Sequence, residues 1–275
     1  MSFHIIIEPG RTGKNYWKDI WRYRELFYIL SWRDIQVRYK QAALGIGWAV
    51  LRPLLTMLVF TYVFGQLAKM PVTTTAPYAI LVFAGLLPWQ FFATALTESS
   101  NSLIRNESLV TKVYFPRLII PASSMITSFV DFLVSFVILI GLFFYYKYTP
   151  PVQILLIPVC WVLLFIVSFG PGLLFTSLNT KYRDVRHIIP FIVQFGLFIS
   201  PVGFSTAVIP GPWQWVYALN PMAGVIDLFR WCIIRDAPNP MLQYPFYISV
   251  AVSLFFIILS VYQFRKMEKQ FADYI

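Results

Sequence analysis

The chain has 275 residues, 58% of them hydrophobic and 12% charged, with a formal net charge of +10 and a mean hydropathy of +0.67. That balance leaves no room for an ordinary soluble domain and points to a chain solvated largely by lipid. In that setting the basic excess reads as loop anchoring at one membrane face rather than nucleic-acid binding, and two cysteines are too few for a disulfide framework.

Residues 1–43 are predicted to form a cytoplasmic or interfacial segment. They mix charge with aromatic rings and lack the apolar core and small-residue cleavage site of a signal peptide. Between Tyr16 and Gln41, Trp17, Trp21, Phe27, Tyr28 and Trp32 are interspersed with lysine and arginine. That pattern suits a helix lying in the headgroup layer, with a partly ordered basic anchor as the alternative.

Residues 44–275 read as one membrane domain, with apolar runs at about 45–68, 77–97, 118–146, 152–178, 188–207 and 246–264. Each matches the roughly 20 residues needed to cross a bilayer core. The runs are continuous rather than alternating, so they form helices and not a barrel. The fold class is therefore all-α integral membrane, with six transmembrane helices. Basic residues crowd the N-terminal segment (Arg11 to Lys40), the second and fourth loops and the tail, whereas the other side holds Lys69, Lys147, Arg230 and Arg235. The positive-inside rule places both termini in the cytoplasm.

Span one places Trp48, Arg52, Thr56, Tyr62 and Gln66 within an arc of about 120° at 100° per residue. Arg52 lies roughly two turns inside the boundary, where charge costs about 2.5–3.5 kcal/mol unless it snorkels or faces a wet cavity. In span three, Ser124, Thr127, Ser128, Asp131 and Ser135 share a narrow face, and helix packing is its plainest reading. Span five carries Phe191, Gln194, Phe195 and Phe198 on one face. Aromatic faces suit the C–H faces of sugar rings, so the stripes of spans one and five read as a polysaccharide conduit, with ordinary core or lipid contact as the alternative.

Two cytoplasmic loops read as docking elements. Ser99-Ser100-Asn101 is expected to cap a short helix through Leu103, Leu109, Val110 and Val113 to Pro116, carrying Arg105 and Lys112, and the fourth loop holds Lys181, Arg183, Asp184 and Arg186 in a tight charged run, with solvated loops as the alternative. On the external side, residues 205–245 are apolar yet broken by prolines. Pieces around Trp213–Ala218, which includes Trp215, and Ala223–Ile234 are half a bilayer long and read as re-entrant helices closing the outer end. Pro221, Asp227 and Arg230 belong to this gate, and Asp227 and Arg230 are spaced to pair on one helix face.

The sequence has no GxxxxGK[ST] phosphate loop, no Cys/His spacing for a metal and no nucleophile–histidine–acid signature. No cofactor and no enzymatic activity are expected of this chain. A transport protein without its own energy chemistry is a passive pore or one subunit of a driven machine.

The stretch Arg33-Asp34-Ile35-Gln36-Val37-Arg38-Tyr39-Lys40-Gln41, with Leu44-Gly45, Trp48 and Arg52-Pro53-Leu54, resembles the start of span one in ABC-type polysaccharide-export permeases. Gly85-Leu86-Leu87-Pro88-Trp89 with Phe91-Phe92, Val113-Tyr114-Phe115-Pro116-Arg117 with Ile120-Pro121, and Asn220-Pro221-Met222 resemble the same family, in order, over roughly residues 30–265. The resemblance implies a six-span permease in the bacterial inner membrane, working as a homodimer with two copies of a separate ABC ATPase that binds ATP and Mg. It further implies an N-terminal interfacial helix, coupling helices after spans two and four, external gate helices, and a cargo such as O-antigen, capsule or teichoic acid. A permease for drugs or small lipids, or a passive channel, is the alternative. For a polyprenyl-diphosphate-linked glycan, Arg33, Arg38, Lys40 and Arg52 would form a graded basic path for the diphosphate, because arginine binds phosphate oxygens bidentately. Attraction to anionic lipid is the competing reading.

Overall fold

The computed structural model describes residues 16–40, 45–70 and 74–274, and every regular element among them is helical. Arg11, Lys14, Gln41 and Leu44 lie outside the described residues. Helices α1 (Tyr16–Arg22) and α2 (Arg24–Lys40) run almost without a break, the Tyr23 amide donating to Asp19 at 2.9 Å and the Phe27 amide to Tyr23 at 3.1 Å. α3 (Gly45–Phe60) continues as a π-helical segment, Thr61–Leu67. Then come α4 (Tyr78–Arg105), α5 (Glu107–Lys112), α6 (Ile119–Tyr145), α7 (Ile157–Lys181) and α8 (Val185–Ile199). Short α9 (Gly211–Tyr217), α10 (Pro221–Ile233), α11 (Tyr244–Glu268) and α12 (Phe271–Tyr274) complete the chain.

Among the described residues, five stretches are long and apolar enough to cross a membrane: Gly47–Leu67, Tyr78–Arg105, Ile119–Tyr145, Val152–Lys181 and Tyr244–Glu268. The run expected at 188–207 differs, because α8 has 15 residues and ends at Ile199. Ser200 is extended (φ −80°, ψ 151°) because it precedes Pro201, whose ring disfavours helical backbone in the preceding residue. At 1.5 Å per residue α8 is about 22 Å long, short of a bilayer core of about 30 Å.

α4 is the central element, with Ile80, Phe83, Leu86, Leu87, Phe91 and Leu96 buried against α6, α7, α10, α3 and α8. In lipid, helix association depends on close packing and interhelical hydrogen bonds rather than on burial alone. Both are present. A Cβ on Gly172 would lie 2.6 Å from Ser99 Oγ, and one on Gly170 would lie 3.0 Å from the Ile257 backbone nitrogen, so α7 meets α4 and α11 at van der Waals limits. Thr176 donates to the Ser99 carbonyl at 2.8 Å and Asn179 to the Ser100 carbonyl at 2.9 Å. Phe91, Phe129, Phe132, Trp161, Phe165 and Phe229 fill the middle with mostly edge-on ring pairs such as Phe91–Phe165 at 5.1 Å.

Ser99-Ser100-Asn101 caps nothing, contrary to the sequence expectation. Ser99 Oγ donates to the Ala95 carbonyl at 2.6 Å, Ser100 Oγ to Thr97 at 2.9 Å and Asn101 Nδ2 to Thr97 at 2.8 Å, so the three side chains bond back along α4, which continues to Arg105. The separate short helix is α5, and Asn106 precedes it.

At the α4 C-terminal end a second cluster joins Tyr16, Leu30, Leu103, Phe115, Phe264 and Phe271. Glu268 fastens it, accepting from the Arg117 amide at 2.8 Å and the Tyr16 hydroxyl at 3.2 Å, while the Arg117 guanidinium donates to the Glu268 carbonyl. The N-terminal helices, the α5 loop and the tail are thus one packed unit.

Candidate functional site

Two cavities lie along the polar stripe of α6. The smaller, about 390 Å³, is lined by Arg33, Asp34, Arg38, Glu98, Arg105, Ser124 and Thr127 among others. The larger, about 620 Å³, is lined by Tyr39, Trp48, Arg52, Thr56, Trp89, Gln90, Ser128, Asp131, Ser135 and Gln194 among others. Arg38 lines both, standing between them. The α6 stripe that reads as packing in the sequence therefore also forms a cavity wall, and Thr127 Oγ1 and Ser128 Oγ are buried with no hydrogen-bond partner.

The charges along this path are mostly paired. Arg38 Nη2 lies 2.7 Å from Asp131 Oδ2, Tyr39 donates its hydroxyl to Asp131 Oδ1, and Arg38 Nη1 stands 3.6 Å from Glu98 Oε1. Arg105 pairs with the other Glu98 oxygen. Arg33 donates to Asp34 and to Asn106 Oδ1, each at 2.7 Å. Burial, and then the bond to Asp131, raise the Tyr39 phenol above its ordinary range, which keeps it a hydrogen-bond donor. Of the four expected diphosphate ligands, Arg33 and Arg38 are held by acids, Arg38 and Arg52 both line the larger cavity, and Lys40 is exposed. Tyr39, Glu98 and Asn106 are the partners that the spacing of basic residues did not reveal.

The conduit residues also separate. Trp48, Thr56 and Gln194 line the larger cavity, whereas Tyr62 and Gln66 do not. Both sit further along, on the π-helical segment Thr61–Leu67. Phe191, Phe195 and Phe198 are each more than half exposed on the outer face of α8, as are Trp48 and Tyr62 on the α3 side. Phe191 stacks on Phe195 at 6.2 Å, and Phe198 stacks on Phe60 at 6.3 Å, joining the two helices. α8 is fixed from inside by Trp89, whose ring fills the space a Gly196 side chain would need, at 2.5 Å.

Of the expected docking residues, Leu103 is fully enclosed in the second cluster and offers no surface, because it lies on the inner face of the continued α4. Arg105 faces the smaller cavity. Leu109 is half-buried, Lys112 is exposed, and Val113 and Tyr114 beside it present an exposed apolar edge. Arg183 and Asp184 are exposed just before α8.

At the opposite end, Trp213 and Trp215 are more than half exposed on α9. Pro221 occupies the first turn of α10, and Asn220 Oδ1 accepts from the Met222 amide at 3.0 Å, so the Asn-Pro pair is a helix start. The expected Asp227–Arg230 ion pair is not the arrangement found. Arg230 is buried and donates to the Val202 carbonyl at 2.8 Å, to Phe204 at 2.7 Å and to Leu81 at 3.3 Å. The α8–α9 linker and α4 present their carbonyls to it, and three short bonds outweigh one helix-face pair.

The cysteines, far apart in sequence, meet in the fold: Cys160 Sγ on α7 and Cys232 Sγ on α10 are 3.4 Å apart and buried. Diamide treatment of membranes is expected to join them by removing two protons and two electrons. A linked 160–232 peptide in unreduced digests, absent in Cys160→Ser, checks this. Recovery of two separately alkylated peptides would contradict the contact.

The sequence pattern of the family described as ABC-2 type transporter matches residues 25–234. The O-antigen export system permease protein RfbA of Klebsiella pneumoniae is 28% identical over 252 residues, covering 90% of this chain and 94% of that protein. RfbA of Myxococcus xanthus is 25% identical over 260 residues, covering 94% and 98%. The polysialic acid transport protein KpsM of Escherichia coli is 24% identical over 229 residues, covering 82% and 84%.

Proposed function

The chain belongs to the ABC-2 type transporter family, and from that premise we propose that it is the permease subunit of a polysaccharide exporter. The observation that carries this reading is the near end-to-end likeness to O-antigen export system permeases and to a polysialic acid transport protein. The multi-pass helical body fits a transport role.

The chain is one permease domain from about residue 44, preceded by an interfacial segment, in a bacterial inner membrane with both termini cytoplasmic. α8, extended by the chain after it, makes the sixth crossing. Two copies pair, because one copy leaves the aromatic faces of α3 and α8 open. Two partner ATPase subunits carry ATP and Mg, and the α5 loop, with Leu109 and the exposed Lys112, Val113 and Tyr114, and the Arg183-Asp184 loop take their push. Lipid-linked glycan is admitted beside Arg38 and Arg52 and slides past Trp48, Gln194, Phe195 and Phe198. Rings offer broad, individually weak contacts, which suits a moving polymer. α9 and α10, with Trp213, Trp215 and Pro221, close the outer end.

Deletion of the gene tests the transport reading. Polymer is expected to disappear from the cell surface and to accumulate inside on its lipid carrier, with recovery on complementation. Undiminished surface polymer in the deletion strain would refute it.

A further inference from the structure

A third cavity, about 540 Å³, lies between α9, α10 and the start of α11, away from the path above. Its polar lining includes Thr206, Gln214, Tyr217, Asp227, Gln243, Tyr244 and Ser249. Resting on the polysaccharide reading, we propose that this cavity binds a neutral sugar unit through Asp227 and Tyr217.

The lining sets the chemistry. Among the described residues no lysine or arginine lines the cavity, and the guanidinium of nearby Arg230 is committed to three carbonyls, so phosphate and other anions find no countercharge among them. Asp227 is partly buried, and its carboxylate, which takes one hydrogen bond from the Thr206 side chain, has further acceptor positions for donors in the cavity. Burial pushes this carboxyl up to about 6, against the nearby Arg230 charge, as expected of an acid short of hydration. The Tyr217 hydroxyl is buried with no hydrogen-bond partner among the described residues, and a buried donor of that kind calls for a ligand or water. Gln214 is oriented by donating to the Ile209 carbonyl at 3.1 Å, which leaves its side-chain oxygen free to accept.

A polyol fits this set: hydroxyls donate to Asp227 and accept from Tyr217. At the rim Tyr244 lines the cavity and stacks on Trp215 at 6.5 Å, a flat apolar surface for the C–H face of a pyranose. The volume lies in the range of small-molecule sites, about 300–1,000 Å³. A hard cation is a poorer match, because Asp227 is the single carboxylate among the lining residues and such ions seek about six oxygens.

The test uses the full chain in lipid nanodiscs with methyl glycosides of mannose, galactose and N-acetylglucosamine, read by saturation-transfer NMR. At least one glycoside is expected to receive transfer, with apparent affinity falling roughly tenfold in Asp227→Asn. Tyr217→Phe removes a hydroxyl that has no partner in the fold, so it is expected to leave thermal stability unchanged while weakening binding, which separates ligand contact from folding. Transfer that persists in both variants, or none from any glycoside, would overturn the site. Loss of transfer on adding millimolar calcium or magnesium would overturn it in favour of a cation. If the deletion strain loses surface polymer but no glycoside binds, only this site fails. If binding depends on both residues but surface polymer survives deletion, the site stands and the export reading fails.

Discussion

Arg230→Met is expected to abolish most folded protein. The side chain is 4% exposed, and its guanidinium satisfies the carbonyls of Leu81, Val202 and Phe204. Methionine fills the volume and supplies no donor. The Leu81 carbonyl keeps its bond within α4, but those of Val202 and Phe204 lose their donor, and at about 1–3 kcal/mol for each the total is on the order of 2–6 kcal/mol. That is a large part of the stability of an ordinary domain, about 5–15 kcal/mol. Arg230→Lys restores only part, because an ammonium is a point donor and cannot span carbonyls from two elements. Gly85→Ala provides an independent check, since its Cβ would lie 2.8 Å from Arg230 Nη2 and 3.1 Å from the Val202 backbone. Thermal aggregation of the detergent-solubilised chain, followed by size-exclusion fluorescence, measures all three. A methionine variant that melts with the parent protein would show that the clamp is dispensable.

Asp131→Ala is expected to cut export at least tenfold and to loosen α2 from α6. The carboxylate holds Arg38 at 2.7 Å and takes the Tyr39 hydroxyl, and these contacts tie the last turn of α2 to the cavity wall. Removing it leaves a half-buried guanidinium beside Arg52 with the more distant Glu98 as its remaining acid. Breaking one side of a buried pair costs about 3–5 kcal/mol, and the partial exposure of both partners brings this nearer to about 2 kcal/mol. The double variant Arg38→Ala, Asp131→Ala is expected to be more stable than Asp131→Ala alone, because no uncompensated charge remains. Protease access to the Trp32–Val37 stretch reports the loosening. Equal stability of the single and double variants would remove the charge argument.

The long helices were legible because a lipid-spanning helix writes itself as an unbroken apolar run, and the α10 start was legible because Asn-Pro both caps and initiates. Other features depend on partners that periodicity does not carry. Ser99 and Ser100 have the composition of a cap, but their hydroxyls fold back onto α4 and let it run on to Arg105. The π-helical segment that carries Tyr62 and Gln66 changes the angle per residue, which no apolar pattern announces. The ending of α8 was visible in Ser200-Pro201, and the apolar run beyond it masked that signal. Arg230 looked like half of a surface pair since its neighbour three residues away is acidic, while its true partners are backbone carbonyls far off in sequence. In the cavities, Asp131 and Arg52 were conspicuous as charges within spans. Glu98 and Tyr39 gained their roles only when α2 was laid across α4 and α6.

The claim that polymer moves along the aromatic faces of α3 and α8 is tested most directly by photo-crosslinking in cells making the glycan. A benzophenone side chain at Trp48 or Phe195 is expected to capture polymer, giving a high-mass smear that reacts with antibody to the glycan. At Val162 on α7 and Phe255 on α11, which are as exposed but belong to other faces, no adduct is expected. Adducts of equal strength at Val162 and Phe255, or none at Trp48 and Phe195 in a strain with normal surface polymer, would contradict it.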